Sequence, residues 1–150
     1  MTTRLIVSDI DGCLTDGAVY VDANGVESCK YSRVDGHGVR MARDAGIEVK
    51  FITLENSPCH RHRADKLGVR ITICIDKMDA FPMIADEKEF AYFGDDLSDL
   101  DPMRMAAIVG CPMTAHKSVY DYVTERGGFV SGDDAGAGAF RAFVEFVLCE

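Results

Sequence analysis

Two aspartates, Asp9 and Asp11, stand one residue apart where the apolar run "RLIV" gives way to "SDIDG". Further along the chain, Thr53 ends "IEVKFIT", Lys77 follows "VRITICID", and Asp95 and Asp96 follow "FAYFG". Carboxylates two apart on a strand share a face, so one can bind a metal while the other moves a proton. That reading requires the chain to stay extended through Ile10. Carboxylates gathered closely repel and shift one another's pKa unless a cation lies between them. Mg²⁺ suits such a set, because it takes hard oxygen ligands and keeps waters and substrate phosphate in its octahedron. A phosphate-bearing ligand would complete the charge balance, with Lys77 and the Thr53 hydroxyl on its other oxygens. One strand-end aspartate alone is more often a helix cap or turn former, but six polar groups at matching positions exceed that explanation.

These residues meet only if the runs before them lie side by side. Five short apolar runs, "RLIVSD", "IEVKFIT", "VRITIC", "FAYFGDD" and "AIVG", alternate with helical patterns near 38–45, 57–67, 78–88 and 97–107. The chain closes on "AFRAFVEFVL", whose phenylalanines recur at helical spacing and predict core or subunit interface. Such alternation predicts an α/β fold: a Rossmann-like, mostly parallel sheet with helices on both faces. In an open sheet of this kind, ligands bind outside the carboxyl ends of the strands, where the polar residues fall. Pro82 inside the third helical pattern predicts that this helix starts after it or is kinked there. Between the first strand and helix, "AVYV" and "VESCKYS" flank "DANG", so residues of about 17–32 read as an inserted hairpin. No cap domain fits in so short an insertion, and a site beneath it would be open or closed by another subunit.

With 150 residues, one domain over 1–150 is expected. No apolar run approaches the roughly 18 residues of a membrane span and "MTTRLIVSDID" lacks a signal-peptide pattern, so a soluble, cytoplasmic protein without membrane contact is expected. A formal charge of −9, with no basic block, opposes nucleic-acid binding. Six cysteines without a CxxC pair read as reduced, mostly buried thiols. Cys59, His60 and His62 invite a zinc reading, but ligands on one helix face sit three or four apart. For His37, in "VDGHGV", substrate contact and turn packing remain equal readings.

The motifs also carry a resemblance. "DIDGCLTDG" resembles the DxDGxxT nucleophile motif of the haloacid dehalogenase superfamily of phosphohydrolases. "FIT" resembles its strand-end Ser/Thr motif, Lys77 in "DKMDAF" its lysine, and "GDDLSD" its GDxxxD motif. Receiver domains combine similar residues in a different order. The short hairpin and "VDGHGV" look like the capless sugar-acid phosphatases, which act on 3-deoxy-manno-octulosonate 8-phosphate or nonulosonate 9-phosphates. A similar domain is fused to some N-acylneuraminate cytidylyltransferases.

The resemblance implies a Mg²⁺-dependent phosphatase with a small phosphorylated sugar-acid substrate. Asp9 would be the nucleophile, forming an aspartyl-phosphate, and Asp11 the proton carrier; Thr53 and Lys77 would hold the phosphoryl oxygens. Mg²⁺ would sit on Asp9, Asp95 and the Asp11 carbonyl, with Asp96 and Asp99 in support. "TLENSPCHRHRADKLGV" is similar to the nine-carbon branch, which implies sugar contacts from Glu55, Asn56 and Lys66. Relatives assemble as tetramers, which implies a homotetramer here. One departure stands out: where relatives carry the arginine of a GGRG segment, which can help bind the sugar carboxylate, "DAGAGAFR" has Ala137. Arg141 lies deeper in the final helix. That departure keeps open a non-catalytic oligomerisation or regulatory module related to the cytidylyltransferase domain.

Overall fold

A computed structural model describes residues 3–85 and 89–150. Strand β1 (Leu5–Asp9) is followed by the hairpin strands β2 (Tyr20–Val21) and β3 (Glu27–Ser28). Helix α1 (Arg33–Asp44), β4 (Glu48–Thr53), α2 (Pro58–Leu67), β5 (Arg70–Ile73), α3 (Lys77–Ala85) and β6 (Phe90–Phe93) come next. A short 3₁₀ turn over Leu97–Asp99 leads into α4 (Leu100–Met105), then β7 (Ile108–Pro112), α5 (Lys117–Glu125), β8 (Phe129–Ser131) and α6 (Ala139–Cys149). The main sheet has the order β5-β4-β1-β6-β7-β8, and every pairing in it is parallel.

Both faces are covered, as the near-continuous apolar strands require. Along β1, Ile6 joins a cluster with Val39, Phe51, Phe93, Phe140 and Phe143, under α1, α2 and α6. Leu5 and Val7 point the other way, to Ile52, Phe81, Tyr92, Met103 and Val123 under α3, α4 and α5. The closing aromatic stripe is therefore core: Phe140 and Phe143 are fully buried, and Phe143 stacks on Phe93 with ring centroids 5.0 Å apart. Each such ring contributes about 1.5–3 kcal/mol by leaving water.

The expected elements differ from the structure in instructive places. Helix α1 begins at Arg33, five residues before the expected start, capped by the Ser32 hydroxyl, which accepts from the Val34 N–H. Gly36 and Gly38 gave that stretch the look of a loop. At Gly38 the reason is close packing, since a Cβ there would lie 2.9 Å from the Arg141 Cα of α6. Helix α3 starts at Lys77, before Pro82 rather than after it, so Pro82 removes one internal N–H bond without setting the boundary. The expected extension of this helix to 88 lies outside the described residues. Helix α5 and strand β8 were not expected. Of the six cysteines, Cys13 and Cys111 are buried, Cys29, Cys59 and Cys74 are half-buried and Cys149 is exposed, so the expectation of mostly buried thiols is corrected. Among the described residues, no helix is long and apolar enough to cross a membrane.

The inserted hairpin is shorter than its β-prone runs, with two residues per strand. Asp22 organises its turn, its carboxylate accepting from the Asn24 and Val26 N–H groups. Val19, Tyr20, Val21 and Val26 are all exposed, so the hairpin has no apolar layer to lengthen it.

Candidate active site

The sheet register brings the sequence-distant acids to one level. Asp9 pairs with Ile52, one residue before Thr53, and Ser8 pairs with Phe93, two residues before Asp95. Lys77 opens α3 four residues past the end of β5, where the Asp76 carboxylate accepts from the Met78 N–H. Its ammonium lies 3.1 Å from Asp9 Oδ2 and 2.6 Å from Asp99 Oδ1. Burial alone would lower the Lys77 pKa, but Asp99 and Asp9 outweigh it and hold the pKa well above the ordinary lysine value.

Asp99 is fully buried and saturated with donors. Tyr92 Oη donates to its Oδ1 at 2.6 Å, and the Asp95 and Asp96 N–H groups donate to its Oδ2 at 2.9 and 3.1 Å. Asp96 turns to solvent instead, where its carboxylate caps the 3₁₀ turn by accepting from the Leu97 N–H. Of the two supporting acids, Asp99 is thus the one in contact with Lys77.

Asp9, the last residue of β1, accepts from the Ile10 N–H at Oδ1. Its pKa is pushed far up, first by burial and then by the neighbouring charge of Asp99, with Lys77 pulling against both. Asp95 is pushed up to about 6, by burial first and Asp99 second. Oxygens of Asp9 and Asp95 and the thiol of Cys13 lie within 4.8 Å of one another. Burial also holds the Cys13 thiol well above its usual pKa, so it stays protonated, 3.7 Å from Asp95 Oδ1. The two raised carboxylates supply the oxygen donors that a hard cation takes, and such a cation would relieve their mutual repulsion, whereas the protonated thiol offers it no ligand. Gly12 at φ +80° clears the space beside Asp95: a Cβ there would lie 1.9 Å from Asp95 Oδ2.

The chain does not stay extended through Ile10. The Ile10 carbonyl accepts from the N–H groups of Cys13, Leu14 and Thr15, so the strand ends at Asp9 and Asp11 sits in a tight turn. Asp11 turns toward α2, where its Oδ2 lies 3.0 Å from His60 Nε2 and its Oδ1 accepts from the Thr15 hydroxyl at 3.1 Å. Burial would raise its pKa, yet the bonds from His60 and Thr15 hold it below the ordinary carboxylate value. Thr53 is buried, its Oγ1 accepting from the Glu55 N–H at 3.0 Å, which leaves its own proton to donate.

Beside Asp11 opens a cavity of about 270 Å³ between the hairpin and α2, with Glu27, Cys29, Glu55 and Cys59 among its lining residues. Glu55 therefore faces it. Asn56 does not line it, and its Oδ1 accepts from Arg61 Nη2 at 2.9 Å. Lys66, exposed in the last turn of α2, is also absent from that lining. His37 is exposed on α1. Ala137 is exposed in the loop before α6, and Arg141 lies 3.6 Å from Glu145 along that helix.

Two partners of the site escaped the sequence reading. The spacing already spoke against a zinc site of Cys59, His60 and His62 but gave His60 no other role; it is buried against Asp11, while His62 is exposed and the Cys59 thiol donates to the Glu27 carbonyl. Tyr31 carried no signal at all.

No family model matches the chain. It is 31% identical over 158 residues to the 3-deoxy-D-manno-octulosonate 8-phosphate phosphatase of Haemophilus influenzae, covering 97% of this chain and 82% of that one. N-acylneuraminate cytidylyltransferase A of Danio rerio is 30% identical over 155 residues, with 97% of this chain matched to 35% of that protein. A solved structure of 3-deoxy-D-manno-octulosonate 8-phosphate phosphatase from Moraxella catarrhalis, in complex with magnesium, phosphate and KDO, superposes with a TM-score of 0.85. It is 28% identical and the match covers 98% of this chain and 86% of that one. A parallel sheet of this build, with no cap among the described residues, is that of the haloacid dehalogenase-like hydrolases. Within them, the chain belongs to the family of 3-deoxy-D-manno-octulosonate 8-phosphate phosphatases, which makes it a phosphoric monoester hydrolase.

Proposed function

We propose that this chain hydrolyses the phosphate ester of a sugar acid with Mg²⁺, through an aspartyl-phosphate on Asp9. The observation that carries it is the Asp9 carboxylate held at the end of β1 between the Lys77 ammonium and the Asp95 carboxylate. Asp9 attacks phosphorus in line as the ester bond breaks, and Asp11 gives a proton to the departing sugar oxygen. Asp11 then takes a proton from the water that displaces Asp9 from phosphorus. Lys77 and the Thr53 hydroxyl hold the phosphoryl oxygens, and Asp99 holds Lys77. Asp9 and Asp95, with the Asp11 carbonyl, would hold Mg²⁺, which when bound neutralises developing charge on the phosphoryl group; Asp96 and Asp99 lie outside these ligands.

The relatives' names support a sugar-acid leaving group, and Glu55 in the cavity supports the nine-carbon 9-phosphate over the eight-carbon 8-phosphate as the finer choice. Asn56 and Lys66 would reach that sugar only after rearrangement or from a neighbouring copy. The exposed apolar hairpin supports assembly of copies, for which a homotetramer is the proposed form, and the shared sheet supports one domain over 1–150. Ala137 favours a second reading, a non-catalytic assembly module, because it leaves the loop before α6 without a cation for the sugar carboxylate.

Phosphate release from eight- and nine-carbon keto-acid phosphates and hexose phosphates, measured with Mg²⁺ beside Asp9→Asn, separates these readings. Turnover of the acids that vanishes in the variant is expected. Silence across the panel, with Mg²⁺ bound, would favour the assembly module.

A further inference from the structure

Asp11 is tied to buried His60, and through it to half-buried Tyr31, two side chains that the phosphatase reading leaves without a role. His60, the third residue of α2, is 2% exposed. Its Nε2 lies 3.0 Å from Asp11 Oδ2, and its Nδ1 lies 2.6 Å from Tyr31 Oη. The two rings meet edge to face at 6.0 Å, and the Arg63 guanidinium covers the Tyr31 ring at 5.7 Å. Three separate segments are thus linked through one imidazole: the turn after β1, the stretch before α1, and α2. A histidine needed for packing alone could spend its nitrogens on any carbonyl; here one of them ends on the carboxylate that faces the cavity.

Resting on the phosphatase reading, we propose that His60, fixed by Tyr31, is a positioning residue for Asp11 that reserves Oδ2 as a hydrogen-bond acceptor and leaves Oδ1 to carry the transferred proton. Burial holds the Tyr31 phenol well above its ordinary pKa, so it keeps its proton and can donate to Nδ1. In the neutral imidazole the remaining proton is then on Nε2, aimed at Oδ2, which has none to give. The Thr15 hydroxyl is the partner of Oδ1 and, unlike an N–H, can either donate or accept. Oδ1 can therefore gain and lose a proton without leaving a neighbour unsatisfied, whereas protonating Oδ2 would turn two donors toward each other. The proton balance follows. In the first half Asp11, carrying at Oδ1 a proton taken up from solvent, gives it to the ester oxygen as the phosphorus–oxygen bond breaks and the bond to Asp9 forms. In the second, Oδ1 takes a proton from the water whose oxygen replaces Asp9 on phosphorus. His60 exchanges no proton with substrate; it fixes the rotation of a carboxylate whose terminal torsion is otherwise broad.

The test compares kcat/KM with Mg²⁺ for p-nitrophenyl phosphate, whose aryl oxide leaves without a proton, and for a simple alkyl phosphate, whose alkoxide requires one. The variants are His60→Val, His60→Gln and Tyr31→Phe. Loss of acid help should lower the alkyl-to-aryl ratio about 10- to 100-fold in His60→Val, within the range general acid catalysis supplies. His60→Gln, whose amide can donate to Oδ2, should recover most of that ratio, and Tyr31→Phe should fall between. Equal losses on both esters in every folded variant, or an unchanged ratio, would overturn the assignment while leaving the phosphatase reading intact. If His60→Val does not fold, the Tyr31→Phe ratio decides alone. A wild type silent on both esters would overturn the phosphatase reading, and this assignment with it.

Discussion

Lys77 Nζ lies 2.6 Å from Asp99 Oδ1, and neither side chain is more than 1% exposed. This pair is the pivot of the acidic cleft, because the same carboxylate that anchors the ammonium also takes the N–H groups of Asp95 and Asp96. Asp99 thus sets the position of a cation and of a candidate metal-binding loop at once. Asp99→Asn should break both roles, since one end of a buried pair is left without its charge. The expected cost is about 3–5 kcal/mol of stability. Thermal unfolding measures that cost, and phosphate release should fall with it; a variant as stable and active as wild type would refute the pairing.

Gly12→Ala should act on metal binding. Its new Cβ would strike Asp95 Oδ2, and the positive φ adds strain. Calorimetric titration with Mg²⁺ should give at least about a tenfold weaker Kd, roughly 1.4 kcal/mol. Unchanged affinity in the folded variant would remove Asp95 from the metal site.

A third expectation concerns pH. Asp35 on α1 is buried and caps α6, accepting from the Gly138 and Arg141 N–H groups. Burial raises its carboxyl pKa, and the backbone bonds from Arg141 and Gly138 only partly offset the rise. A folded pKa above the unfolded value means the native state binds the proton more readily. This contribution to stability is present below the unfolded value of about 3.9 and is lost as pH rises through the folded one. Asp35→Asn cannot take up that proton. Urea denaturation across pH 4–7 should show wild type gaining on the variant as pH falls, and a constant difference would contradict the raised pKa.

Phe143→Ala should cost about 3–5 kcal/mol, because the ring is fully buried against Phe93 and Phe129. At this chain length that lowers Tm by roughly 6–20 °C. A smaller shift would mean that the face under α6 closes over the gap.

How far the sequence foretold this molecule depended on the kind of signal. The five apolar runs became strands of one parallel sheet, and Asp9, Thr53, Lys77 and Asp95 fell at its carboxyl end because the type and succession of the elements are written in hydrophobic period. Helix α5 was hidden because "KSVYDYVTE" is rich in β-prone residues and buries only Val119 and Val123 on one face. Strand β8 is three residues beside two glycines, too short for any period to register. The bond between His60 and Asp11 could not be read either, because it joins residues 49 apart through a turn that replaces the expected extension. Local pattern names elements; it does not say which way a buried imidazole points.

The central position of β1 has a consequence during synthesis. Its neighbours are β4 and β6, and the second of these begins 85 residues after β1 does. At a ribosomal rate of about 5–20 residues per second, one edge of "LIVSD" waits roughly 4–17 s for its partner. Through that interval the strand that carries Asp9 is an unpaired apolar edge on a nascent chain, the kind of surface that chaperones cover and that aggregation recruits.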